Sequence, residues 1–159
     1  MRSAICLIAG IVVGAAMQTA IGQQREIVSL NHVAIAVPDF EAASRFYSDG
    51  MGFPQAFAFK EPDGSPSLSY FQINRNTFIE LMPITPERPA GFVHFGLEVT
   101  QLDGLVKRLR ATGMDVRDPI VSSRTRSRIA VARTPQGTGV ELLEFGPDSI
   151  HRRVMEAWK

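Results

Sequence analysis

The chain has 159 residues, 17 basic against 16 acidic, for a formal net charge of +1. That balance gives no basic field for nucleic acid and no polybasic surface for a membrane, so neither is implied as a partner, and a small-molecule substrate stays open. The single cysteine, Cys6, lies near the N-terminus, and the body of the chain therefore has no disulfide and no thiol nucleophile.

Arg2 precedes an apolar run, Ala4 to Met17, and a small-x-small site, Ala20-Ile21-Gly22. This is the layout of a secretory signal. The run is shorter than the about 20 residues of a membrane-spanning helix. The expectation is a signal peptide over 1–22, cleaved after Gly22, and a mature chain that is exported to the periplasm or beyond and not held in a membrane. Retention of the segment as an anchor is the alternative.

From Gln23 onward the elements repeat. "HVAIAV" reads as a strand, and Asp39 as the N-cap of a helix with Phe40, Ala43, Phe46 and Tyr47 on one face and Gly50 at its end. Three strand-like segments follow, "QAFAFK", "LSYFQI" and "TFIELM", separated by "EPDGSP" and "NRN". The proline-rich linker "PITPERPAG" then marks a boundary. Beyond it "HFGLEV" reads as a strand again, with Thr100 as N-cap and Leu102, Leu105, Val106 and Leu109 as the helix face before Gly113. "DVRDPIV", "SRIAVAR" and "GVELLEF" complete this copy. A final amphipathic helix, Asp148 to Lys159, sets Ile150, Val154 and Trp158 on one side and leaves His151 at the surface beside Arg152 and Arg153.

The order is thus βαβββ twice, with modules at about 28–84 and 90–146. This is an α+β class of fold. A helix covers one face of each small sheet, and the other face must close against a second sheet, from the other copy or another chain.

Strand side chains alternate between faces. Val33, Ile35 and Val37 form the larger apolar set, which packs under the helix; His32, Ala34 and Ala36 then face the other way. Phe95, Leu97 and Val99 likewise leave His94, Gly96 and Glu98 on the far side. The last strand of each copy adds a carboxylate, Glu80 in "FIELM" and Glu141 in "VELLE", at nearly equal distances from the histidines. A lone strand histidine or glutamate needs no special explanation. Four in duplicated positions do, because an ionised carboxylate facing an enclosed sheet is costly without a partner. An N₂O₂ set suits Zn, Ni, Co, Mn or Fe(II) without choosing among them.

On "LNHVAIAVPDFEAASRFYSDGMGF", "FIELM", "FVHFGLEV" and "TPQGTGVELLEF" the chain resembles the vicinal oxygen chelate superfamily, which includes glyoxalase I, methylmalonyl-CoA epimerase, bleomycin-binding proteins and extradiol dioxygenases. The resemblance implies paired βαβββ modules forming an open, cup-like mixed sheet around one divalent metal, the glyoxalase-like fold, over residues 23–159. It implies His32, Glu80, His94 and Glu141 as the metal ligands, with Glu141 as a catalytic base and Glu80 as its counterpart. The implied activity is that of a lyase or isomerase, of the lactoylglutathione lyase type, removing a proton next to a metal-bound carbonyl. A homodimer is expected, and whether one chain or two complete the site stays open.

Arg126 and Arg128 are candidates to hold an anionic substrate; a charged edge strand is the alternative. Glu144 falls on the opposite side of its strand from Glu141, and Glu98 lies too far along its own. Tyr70, Gln72 and Phe78 line the cup or pack in it. Two other functions compete. An Fe(II) ring-cleaving dioxygenase would use His32, His94 and Glu141 but needs a further histidine, and only His151 is spare. A non-catalytic drug-binding protein would not need the ligand set. Export also argues against coenzyme A thioesters as substrates.

Overall fold

A computed structural model describes residues 26–159. The signal expected over 1–22, and Cys6 within it, lie outside the described residues. No described helix is long and apolar enough to cross a membrane.

The first half runs β1 (Ile27–Val37), α1 (Phe40–Arg45), β2 (Gln55–Lys60), β3 (Pro66–Asn74) and β4 (Thr77–Pro83). The second runs β5 (Gly91–Val99), α2 (Leu102–Ala111), β6 (Ile120–Val121), β7 (Arg128–Arg133) and β8 (Gly139–Glu144), followed by α3 (Ile150–Ala157). All eight strands form one sheet, in the order β2-β3-β4-β1-β5-β8-β7-β6. β1 is parallel to β4, and β5 to β8. The halves meet where β1 runs antiparallel to β5, so one half maps onto the other by a twofold rotation about that seam. Arg124, in the turn before β7, donates to Ser67 Oγ at 2.7 Å and pairs with Glu61 at 3.1 Å, which ties the two outer ends of the curved sheet together.

The two helices that cover the outer face do so unequally. α2 buries Leu102, Leu105 and Val106 against Val99, Val116, Ala130, Ala132 and Leu142, a cluster that holds the second half together. Its N-cap position is Gln101, in a left-handed conformation with φ 53°, and not Thr100. The free Leu102 N–H is answered by Glu144 Oε1 at 3.1 Å. α1 is only six residues long and widens into one π-type turn at Phe46–Gly50. Asp39 caps it as expected, its Oδ1 accepting from Ala42 N at 2.9 Å. Phe46, however, is 58% exposed, and the left-handed turn after the helix is made by Gly52, not Gly50. Val33, Ile35 and Val37 are consequently half-buried, while His32, Ala34 and Ala36 on the other face are fully buried.

That reversal has a cause in α3. The helix packs inside the cup, and its buried stripe is His151, Val154, Met155 and Trp158. His151 is therefore an interior residue and not the surface residue expected. Its ring stacks on Phe145 at 5.1 Å and meets Tyr70, Phe57 and Phe78 edge-on at 4.9, 5.0 and 5.8 Å. Ser127 Oγ, itself 2.9 Å from Ser149 Oγ at the head of α3, lies 3.3 Å from His151 Nδ1.

Candidate metal centre

Four adjacent strands at the middle of the sheet each contribute one donor. His32 stands on β1, Glu80 on β4, His94 on β5 and Glu141 on β8. The sheet register brings them together: Ala34 pairs with Glu80, His32 with Gly96, and Gly96 with Glu141. Gly96 leaves room for the His32 ring, which lies where a β-carbon would be, 2.2 Å from Cε1 and 2.5 Å from Nδ1. The imidazole leans over that gap toward His94.

The two Nε2 atoms stand 3.1 Å apart. Glu80 Oε2 is 3.4 Å from His32 Nε2 and 3.2 Å from His94 Nε2. Glu141 oxygens lie 3.7 Å from each imidazole. Within one chain, ligand atoms of His32, His94 and Glu141 all lie within 4.8 Å of one another, and Glu80 joins them through its contacts to both imidazoles. Asn31 fixes the tautomer of His32. Its amide nitrogen donates to Asn76 O at 3.3 Å, so its Oδ1 accepts from His32 Nδ1–H at 3.0 Å and Nε2 carries the lone pair. That lone pair points at His94 Nε2, an arrangement that requires a proton or a cation between them.

Burial drives the His32 pKa down to about 4, against the pull of Glu80. His94 is also desolvated, yet the carboxylates of Glu80 and Glu141 beside it raise its pKa. Burial works to raise Glu80, but His94, His32 and the Tyr70 hydroxyl outweigh it and lower the value. Burial raises Glu141.

These residues fit a divalent ion. Glu80 Oε2 is buried and has no aligned hydrogen-bond donor, although two imidazole nitrogens are close. Nitrogens and oxygens about 2.1 Å from one ion sit roughly 3.0–3.4 Å from each other, near the separations found here. Two charges on the ion balance two carboxylates that would otherwise repel in a buried site. The side chains of His94 and Glu141 are 13% and 23% exposed, against 0% and 6% for His32 and Glu80, so the cluster opens to solvent on the β5–β8 side.

The other expected site residues lie elsewhere. Arg128 pairs in register with Glu144 on the helix-covered face, bonded to Glu144 at 2.5 Å and to the two carboxylate oxygens of Asp103 at 2.8 and 2.9 Å. Arg126 has φ 61° and sits in an exposed turn by Val121, Asp148 and Arg153. Neither reaches the cluster, because β7 begins only at Arg128 and alternation turns that side chain away from Glu141. Glu98 accepts from Ser29 Oγ at 3.1 Å, away from the cluster. Tyr70, Gln72 and Phe78 are buried on the inner face.

The family model for the Glyoxalase/Bleomycin resistance protein/Dioxygenase superfamily matches residues 29–142. The chain belongs to this superfamily. Among superfamily members similar to it, the mitochondrial methylmalonyl-CoA epimerase of Homo sapiens is 35% identical over 92 residues, 51% of this chain and 52% of the relative. The ethylmalonyl-CoA/methylmalonyl-CoA epimerase of Cereibacter sphaeroides is 36% identical over 98 residues, 55% of this chain and 72% of the relative. The chain thus spans about half the length of its mammalian relatives. The crystal structure of methylmalonyl-CoA epimerase from Mycobacterium tuberculosis superimposes with a TM-score of 0.64 at 25% identity, over 77% of this chain and 91% of that one. These superfamily relatives are named for coenzyme A thioesters, the class that the expectation of export had set aside.

Proposed function

We propose that the chain is a divalent-metal-dependent isomerase, which moves a proton on the carbon next to a carbonyl. The observation that carries this reading is the pair of carboxylates, one from each half, on either side of two imidazoles. His32, His94, Glu80 and Glu141 would hold the ion. When bound, it supplies the Lewis acidity that stabilises negative charge on a carbonyl oxygen.

The remaining chemistry belongs to the side chains. Glu141 is the freer carboxylate: it is partly exposed and, among the described residues, has no hydrogen-bond donor closer than the imidazoles at 3.7 Å. It is the group placed to take the proton. Glu80, its pKa lowered despite burial by His94, His32 and the Tyr70 hydroxyl, stays ionised and would serve as a ligand from the other half. Glu141 passes the proton it takes to solvent on the open β5–β8 side, and a solvent proton returned to the opposite face inverts the carbon. The epimerase relatives support an isomerase over a lactoylglutathione lyase.

The test is hydrogen exchange in D₂O. The metal-loaded protein, given methylmalonyl-CoA as a probe, is expected to place deuterium on the carbon between the carbonyl groups, and Glu141→Gln to slow this by roughly 10²–10⁴-fold. Exchange that persists after chelation or in the variant would overturn the assignment.

One observation favours the dioxygenase alternative: His151 lies inside the cup, its ring 6.3 Å from that of His32. Against it stands Glu80, a fourth donor where a site of two imidazoles and one carboxylate leaves positions open. Oxygen uptake by the Fe(II)-loaded protein with a catechol separates the two readings.

A further inference from the structure

The ends of the strands near Met82 and Arg88 hold a feature that the cluster itself does not explain. Met82 follows Glu80 by two residues on β4 and so shares its face, about 7 Å along the strand. It lines a cavity of about 400 Å³ together with Ser67, Thr85, Arg88 and Arg124. Arg124 is already paired with Glu61, which borders the same cavity. Arg88 is not paired. Its Nε donates to Pro83 O at 3.0 Å, which fixes the plane of the guanidinium, and no carboxylate among the described residues lies within ion-pair distance. Arg75, Arg117, Arg126 and Arg153 also lack a carboxylate partner, but they are exposed, whereas Arg88 is half-buried.

A half-buried guanidinium forgoes part of its hydration and regains it from a bidentate anion. We propose that Arg88 receives a carboxylate carried by the substrate, which makes the substrate class a carbonyl compound with an acidic group a few bonds from the reacting carbon. This rests on the isomerase reading, because it takes the carbonyl to lie at the four-residue cluster. Arg88 takes the role that the sequence had suggested for Arg126 or Arg128.

Calorimetric titration of the cobalt(II)-loaded full chain tests the proposal without turnover. The probes are succinate and its uncharged-end counterpart succinamate, and the visible cobalt spectrum reports whether the cluster is formed. The wild type is expected to bind succinate at least tenfold more tightly than succinamate. Arg88→Met is expected to abolish that difference with an unchanged cobalt spectrum, and Arg88→Lys to restore part of it. Equal succinate affinity in Arg88→Met and wild type overturns the role of Arg88 and leaves the isomerase reading standing. A wild type that takes up no cobalt overturns both. Should Arg88→Met fail to fold, Arg88→Lys carries the comparison: a preference for succinate reduced below that of the wild type supports the bidentate contact, and an undiminished preference overturns it.

Discussion

Gly96 is the residue that gives the cluster its room. Any side chain there would meet the buried His32 ring at well under van der Waals distance, 2.2 Å from Cε1. The ring cannot withdraw, since Tyr70 stands 5.4 Å away on one side and Asn31 holds Nδ1. Gly96→Ala is therefore expected to cost about 1–3 kcal/mol as an overpacked site and to weaken metal affinity at least tenfold. Urea unfolding and a metal titration check this; a variant with native stability and affinity would show that the ring has another place to go. The convergence of the four side chains was legible in the sequence because duplication turns a weak signal, one strand histidine, into a repeated one. Asn31 and Arg88 were not. An asparagine before a histidine has no distinguishing pattern, and Arg88 lies between prolines in a linker where no periodicity assigns a face.

At the scale of elements, the lesson lies in α3. His151, Val154, Met155 and Trp158 follow the spacing of a buried stripe, and the signal was present in the sequence. Counting histidine as polar hides it, whereas a neutral imidazole packs well among aromatic rings. The helix over Phe40–Arg45 shows the opposite case: its apolar face was legible, but how little of the sheet six residues cover was not. Burial lowers the His151 pKa to about 3, reinforced by the charge of His32 and opposed by that of Glu80. The unfolded chain, with an ordinary histidine near 6.5, binds this proton first as pH falls. The neutral buried ring thus costs nothing above about pH 6.5 and destabilises the fold increasingly below it, by about 1.4 kcal/mol per pH unit down to the folded value. Stability measured by urea unfolding is expected to decline from pH 6.5 toward 4, and His151→Phe to flatten that decline. An identical pH slope in the variant would place the acid sensitivity elsewhere. Around the ring, Phe57, Tyr70, Phe78, Phe145 and Ser127 do not titrate in this range, whereas His32, stacked at 6.3 Å with its own pKa lowered to about 4, adds a parallel decline that remains in the variant.

For the whole molecule, the fold class and the two modules followed from turn residues and alternation, while the joining of the halves into one sheet at β1 and β5 did not, because edge pairing leaves no mark on side-chain pattern. That seam is where the ion would act on stability, since each half lends it one nitrogen and one oxygen ligand. A ligand present at a hundred times its Kd stabilises by about 2.7 kcal/mol, a rise in Tm of roughly 10 °C for a domain of this size. Thermal scans with Zn, Ni, Co or Mn against a chelated control are expected to show that rise, and His94→Ala to lose it. A shift preserved in the variant would mean that the metal binds elsewhere.

Because the seam joins equivalent halves, it is also a place where two molecules can trade partners. If the proline linker opened, β1 of one molecule would find β5 of another in the same register, and both clusters so formed would contain the same histidines and glutamates. An exchanged pair and two separate molecules would then be chemically alike, free to differ in lifetime and size but not in what they catalyse.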